Sequence, residues 1–167
     1  MHRNGSHEAP GLARAPLLSS TGVGGCRRRR GADVSEVIVH RLAGSKRALE
    51  ACRLVERLYA AGKRVAVWVE DPGRAAVLDD YLWTFAQSSF VPHSLADAAG
   101  ADGDPVVIVS GPLANPNGSD VLVIGDGRAD PAAVAWPEIH DLASGAAETE
   151  ERRAAWATAG LAARDAE

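Results

Sequence analysis

Three short runs of the chain consist almost entirely of apolar residues, many of them β-branched. They cover residues 64–69, 105–109 and 121–124, and polar residues do not alternate with apolar ones inside them. A run of this kind is typical of a strand covered on both faces, because a strand with one wet face carries polar residues at every second position. The runs therefore predict interior strands, and they are the strongest constraint on the fold.

Helical patterns separate these strands. From Arg47 to Ala61 apolar residues recur at intervals of three and four, and Gly62 follows at a position where helices commonly end. Asp71 can cap a second helix, Pro72 suits its first turn, and we expect this helix to end near Trp83. The order strand, helix, strand, helix predicts a mostly parallel sheet with right-handed crossovers.

The remaining elements complete one domain. We expect a first buried strand at 36–40, a turn at 115–118 and a last strand at 136–142. A final helix follows, capped by Ser144 or Thr149 and stopping at Gly160. The predicted fold class is α/β, a single three-layer domain with a mostly parallel sheet flanked by helices. Its topology is Rossmann-like or P-loop-like, without a phosphate loop.

The first 33 residues differ from the rest of the chain. They hold six arginines against Glu8 and Asp33, a balance of +4, whereas the remaining residues hold 12 basic and 20 acidic side chains, a balance of −8. Because the segment has no helical or strand period, we expect a disordered leader at 1–33 and a single domain at 34–167. A mis-assigned start, with Val34 as the true beginning, is an alternative. We interpret the arginines at 27–30 as a solvated charge run; a nucleic-acid contact and a targeting segment are the other interpretations.

Charge, cysteine content and hydropathy narrow the class of protein. An acidic body is a poor direct binder of nucleic acid, whose affinity comes largely from neutralised phosphates. The two cysteines, Cys26 and Cys52, have neither metal-site nor redox-motif spacing, and no apolar run is long enough to cross a bilayer. The sequence thus predicts a soluble, cytoplasmic protein with no cofactor, no metal and no membrane contact.

Aromatic residues are concentrated between residues 78 and 93. This stretch holds both phenylalanines, one of the four tryptophans and one of the two tyrosines. Large rings contribute much burial energy per side chain, so such a cluster forms either the middle of a core or a contact surface. Both interpretations are open at the level of sequence.

The same stretch carries a recognisable motif. It reads Leu-Asp-x-x-Leu-Trp-Thr-Phe at 78–85 and Ser-Phe-Val-Pro-His at 89–93, with Gly-Lys-Arg-Val at 62–65 before it and an Arg/Trp/Gly pattern near the end. Together these resemble the chi subunit family of bacterial DNA polymerase III, over residues 34 to about 161. The resemblance implies a non-catalytic accessory subunit that links the clamp-loader complex to the single-stranded-DNA-binding protein during DNA replication. The implied location is the cytoplasm, at the nucleoid through the replisome.

The resemblance also implies a site for the acidic, phenylalanine-terminated tail of the single-stranded-DNA-binding protein. Arg152, Arg153 and Trp156 match the family positions that form it, although Glu150 and Ala157 stand where the family often has basic residues. We expect both arginines to be accessible, so that removing Arg152 leaves the melting temperature nearly unchanged. The alternative is that Arg152 pairs with Glu148 one helical turn away and Trp156 packs on the sheet.

A second implied surface binds the psi subunit, another clamp-loader component or a helicase partner. Trp83 and Phe90 match positions implicated in it. We expect Phe90 to be the contact residue and Trp83 to be partly buried.

Enzymatic activity has little support in the residues. The turn after the first strand, residues 42–46, has one glycine and no phosphate-binding pattern, and His93 has no accompanying nucleophile or second histidine. We expect His93 to fix a loop by hydrogen bonds. The alternative function is a degenerate nucleotide-binding enzyme of the P-loop-like class, which a nucleotide-dependent thermal shift would reveal.

Overall fold

The computed structural model describes residues 36–86 and 90–166. The predictions for the leader at 1–33 and for Cys26 lie outside these residues. Within them the chain forms, in order, β1 (Glu36–Leu42), α1 (Arg47–Ala60), β2 (Val65–Val69), α2 (Pro72–Thr84), β3 (His93–Leu95), β4 (Val106–Ser110), β5 (Val121–Asp126), β6 (Glu138–Ser144), α3 (Gly145–Thr158) and β7 (Ala163–Asp165).

All seven strands form one parallel sheet, in the order β3-β4-β2-β5-β6-β1-β7. The three apolar runs became β2, β4 and β5, which lie side by side in the interior, and the predicted fold class is confirmed. Two strands were not predicted. β3 and β7 have three residues each and no apolar run, so only pairing with β4 and β1 makes them strands.

The helices cover the two faces of the sheet unequally. α1 and α2 pack together on one face, where their apolar sides meet the odd-numbered residues of β2 and β5, and α3 covers the other face with Trp156. Cys52 is fully buried in the α1 layer, and burial raises the pKa of its thiol to about 12. No helix in the described part of the chain is long and apolar enough to cross a membrane.

The helix ends show which caps were predicted correctly. Asp71 caps α2 by accepting a hydrogen bond from the N–H of Arg74 at 2.9 Å, as expected. Ser144 occupies the N-cap position of α3, but its side chain makes no capping bond; Glu148 instead accepts from the Ser144 N–H at 2.6 Å. Thr149 lies inside α3, where its hydroxyl donates to the Gly145 carbonyl at 2.7 Å.

Candidate protein-binding surfaces

The exposed large apolar side chains of the described residues are all on α2 or just after it. They are Val77, Tyr81, Trp83 and Phe90. On α2 the buried residues Ala75, Leu78 and Leu82 define the inner face. Val77 and Tyr81 are four residues apart on one side of the outer face, and helical spacing places Trp83 on the other side.

Trp83 and Phe90 form the aromatic patch of this protein, together with His93. The centroid of the Trp83 ring lies 5.5 Å from that of Phe90 and 4.6 Å from that of His93, with tilted planes. Trp83 is 51% exposed and Phe90 is 66% exposed. The two rings therefore pack against each other while a large part of their apolar area faces solvent, which is typical of a contact surface and not of a core.

His93 holds this patch in place. Its ring is buried, with Nδ1 2.7 Å from the Val91 carbonyl oxygen and Nε2 3.2 Å from the Asp79 carbonyl oxygen. These contacts tie the segment after α2 back to the helix, while the buried side chain of Val91 anchors it in the α1 and α2 layer. The prediction that His93 fixes a loop by hydrogen bonds is confirmed.

Arg152 and Trp156 meet at a single buried carboxylate on β6. The Asp141 carboxylate is ion-paired with the Arg152 guanidinium and accepts a hydrogen bond from Trp156 Nε1 at 2.9 Å. Arg152 also donates to Glu148, at 2.9 Å from Nε and 2.6 Å from Nη2, and to the Gly127 carbonyl at 2.9 Å. Burial raises the pKa of Asp141, although Arg152 and Trp156 favour its charged form.

The expectation that Arg152 is accessible is wrong. Arg152 is 5% exposed and Trp156 is 2% exposed, because together they join α3 to β6 and to the loop after β5. The pairing of Arg152 with Glu148 at a distance of four residues, which was the alternative interpretation, is present. Asp141 was missed as their shared partner; the available signal was a carboxylate inside a predicted strand, between His140 and Leu142.

Arg153 points away from this cluster, into a groove of about 510 Å³ between α3 and the strands β1 and β7. Its side chain is 32% exposed and pairs with Glu150 at 2.9 Å and with Asp165. Arg41 also lines the groove. Of the three residues matched to the acidic-tail site, Arg153 is thus the one that a ligand reaches without rearrangement of α3.

Glu148 connects α3 to α1. It accepts hydrogen bonds from Arg152, from the Ser144 N–H and from Arg47, which lies 3.1 Å away on α1. Burial alone would raise the pKa of Glu148, but these hydrogen bonds outweigh it and lower the pKa to about 2. The carboxylate is therefore charged at any physiological pH.

A second polar chain crosses β1 and β6. His40 Nε2 lies 2.7 Å from His140 Nδ1, His140 Nε2 lies 2.8 Å from Glu138, and Glu138 accepts from Lys63 at 3.0 Å. Burial is the main cause that lowers the pKa of His40, to about 4, and that of His140. Two neutral imidazoles with the proton on Nε2 satisfy the whole chain of contacts.

In the described residues, no group of three or more His, Cys, Asp or Glu side chains is placed to hold a metal ion.

Comparison with known proteins decides the family. A family model described as "DNA polymerase III chi subunit, HolC" matches residues 35–163. The chain belongs to the DNA polymerase III chi subunit family. This is a family of replication accessory subunits, and the resemblance seen in the motifs is confirmed.

Individual chi relatives match over shorter stretches. The DNA polymerase III subunit chi of Escherichia coli is 35% identical over 72 residues, which cover 43% of this chain and 49% of the relative. That of Pseudomonas aeruginosa is 40% identical over 53 residues, which cover 32% of this chain and 37% of the relative. The chain thus spans between about a third and a half of the length of these curated relatives.

A solved structure supports the fold beyond the chi family. A Saccharomyces cerevisiae Dbp5 variant, bound to a Gle1 variant and IP6, superposes with a TM-score of 0.55 at 13% identity, over 81% of this chain and 43% of that one. At this identity the likeness concerns the fold alone.

Proposed function

We propose that this chi-family chain is a non-catalytic adaptor that links the clamp-loader complex of DNA polymerase III to single-stranded-DNA-binding protein. Family membership supports a place in replication. The observation that carries the adaptor role is the aromatic patch, because contiguous apolar surface that is exposed on a soluble protein often marks an interaction site. Residues 43–46, which follow β1, contain one glycine and no phosphate-binding pattern that would favour an enzyme.

The patch is proposed to bind the psi subunit, another clamp-loader component or a helicase partner. Aromatic rings dominate binding energy at the centre of interfaces because they bury much area with few rotatable bonds. Trp83 lies at the end of α2, and Phe90 lies next to Val91, whose carbonyl contacts the buried His93 ring. The contact between the two rings places them together before a partner arrives.

A pull-down with the full chain from the source cell tests this role. The Phe90→Ala and Trp83→Ala variants should each capture less clamp-loader protein than the parent does. Their far-UV circular dichroism spectra should stay the same as that of the parent. Tyr81→Ala is the matched control, since Tyr81 is an exposed ring of α2 outside the patch. If Tyr81→Ala weakens capture as much as Phe90→Ala, the patch is not the specific contact.

The tail of the single-stranded-DNA-binding protein is proposed to bind along α3, at the site matched by Arg152, Arg153 and Trp156. In this arrangement Arg153 meets the acidic peptide in the groove, while Arg152 and Trp156 fix the helix that presents it. Glu150 and Asp165 compete for Arg153, so binding to a short acidic peptide should be weak and should weaken further with salt.

Calorimetry with an acidic peptide that ends in phenylalanine tests the tail site. Arg153→Ala should reduce its affinity, and deleting the terminal phenylalanine should do the same. Arg53→Ala is a matched control. Arg53 lies on α1, 3.0 Å from Glu50 three residues before it, and Arg153 forms the same kind of ion pair with Glu150 on α3. Equal affinity for the parent, Arg153→Ala and Arg53→Ala would place the tail elsewhere.

A further inference from the structure

A cavity of about 300 Å³ opens at the carboxyl edge of the sheet, between the first turns of α1 and α2. Its apolar lining consists of Ala48, Ala51, Val69, Val77, Leu78 and Gly125, and its rim carries Arg47, Arg74 and Asp126. The aromatic patch and the α3 groove have no lining residue in common with it. In open α/β sheets this edge is where ligands bind.

Gly125 creates part of this space, and the described contacts of the fold do not require a glycine there. It is the extra residue of a bulge where β2 and β5 shift register, but its φ is not in the left-handed region. A Cβ at this position would lie 3.4 Å from Val67 Cγ1 and 3.5 Å from the Trp68 carbonyl oxygen, which are ordinary contacts. A glycine inside a strand weakens it, and its presence often marks the close approach of a ligand.

Of the two arginines on the rim, Arg74 is the one with more donors left over among the described contacts. Arg47 is held by the Leu142 carbonyl, Ser144 and Glu148, whereas Arg74 has a 70% exposed side chain and contacts Asp126 through Nη1. Among the described residues, no hydrogen-bond acceptor is assigned to Nε or Nη2 of Arg74. Burial acts to raise the pKa of Asp126, but the hydrogen bonds from Arg74 and Gly127 lower it, so Asp126 is a charged carboxylate.

We propose that this cavity binds a small organic anion, with an apolar body about the size of one ring in the cavity and a single carboxylate on Arg74. The volume is at the lower end of the range for small-molecule sites, which suits a body of this size. Arg47 is already paired with Glu148, whereas Arg74 is paired with Asp126 through Nη1 alone and so has free donors for one carboxylate. A polyphosphate fits less well, because Arg47, Arg128 and Arg152 on the adjoining part of the same edge are each already paired with Glu148 or Glu151.

Titration of the full-length protein with 4-phenylbutyrate, followed by amide NMR, tests the proposal. The expected result is saturable shifts at Ala48, Val77, Gly125 and Asp126, with the neutral 4-phenylbutanamide binding about tenfold more weakly because it lacks the charge. Arg74→Gln should weaken binding of the acid to the level of the amide. Arg53→Gln, which removes another exposed arginine of this face, should bind like the parent.

Filling the cavity gives an independent measurement. Gly125→Ala should weaken binding about tenfold while the melting temperature stays or rises, since alanine is favoured over glycine in a strand. The larger Gly125→Val should abolish binding while its amide spectrum away from the cavity stays that of the folded parent. Shifts located elsewhere, or full affinity in both Gly125→Ala and Arg74→Gln, would overturn the proposal.

Discussion

At the residue scale, the burial of Arg152 changes its role from an expected ligand contact to a structural ion pair. Its match to a binding position suggested a side chain exposed for an acidic ligand, but four of its hydrogen bonds go to Asp141, Glu148 and the Gly127 carbonyl. Sequence spacing revealed the partner four residues away. It did not reveal Asp141, because the pairing depends on how α3 lies across β6.

We therefore expect Arg152→Met to destabilise the protein strongly. The substitution keeps much of the side-chain volume but leaves the buried Asp141 without its cation, which costs about 3–5 kcal/mol. Urea unfolding of the parent and the variant measures the loss. Arg153→Met, at the neighbouring and more exposed position, should leave the unfolding midpoint close to that of the parent; similar losses at both positions would contradict this assignment.

The two histidines of β1 and β6 give an acid-sensitivity prediction. The pKa of His40 is lowered to about 4 and that of His140 is also lowered, so the unfolded state binds more protons below about pH 6.5. Stability should fall as pH decreases from about 6.5 towards 4. The urea midpoint measured across this range should fall less in His40→Gln than in the parent, and a parallel pH dependence in both proteins would exclude His40 as the cause.

At the element scale, α3 depends on a carboxylate within its own first turn. Glu148 replaces the missing side-chain cap of Ser144 and joins α3 to Arg47 of α1. The sequence predicted a cap from Ser144 or Thr149, because serine and threonine are common capping residues and Glu148 lies inside the helix. The interior strands were predicted correctly since their apolar runs are local signals, whereas β3 and β7 exist only through neighbours distant in sequence.

Glu148→Ala should loosen the start of α3 more than the rest of the domain. Loss of its charged hydrogen bonds should cost about 1–3 kcal/mol. Amide hydrogen exchange should accelerate at Ser144, whose N–H donates to Glu148, and at residues 148–151, which donate the first hydrogen bonds within α3, before the strands are affected. The control is Glu150→Ala, since Glu150 is exposed and pairs only with the partly exposed Arg153 among the described contacts. Faster exchange spread evenly over the sheet would mean that Glu148 supports the whole fold.

At the scale of the whole molecule, the leader and the domain are proposed to be independent. The basic segment 1–33 has no apolar periodicity, and the family match begins at residue 35. Deleting residues 1–33 should leave the melting temperature within measurement error by calorimetry. A lower melting temperature of the shortened chain would show that the leader docks on the domain.

The strand order has a consequence for how partners assemble. The aromatic patch lies beside β3, at one edge of the sheet, and the α3 groove lies beside β7, at the other. Six strand spacings separate these edges by about 29 Å at roughly 4.8 Å each. If the two proposed ligands bind at these edges, this separation should let them bind together without steric exclusion and with close to additive free energies. The protein would then act as a passive bivalent tether, raising the local concentration of one partner near the other.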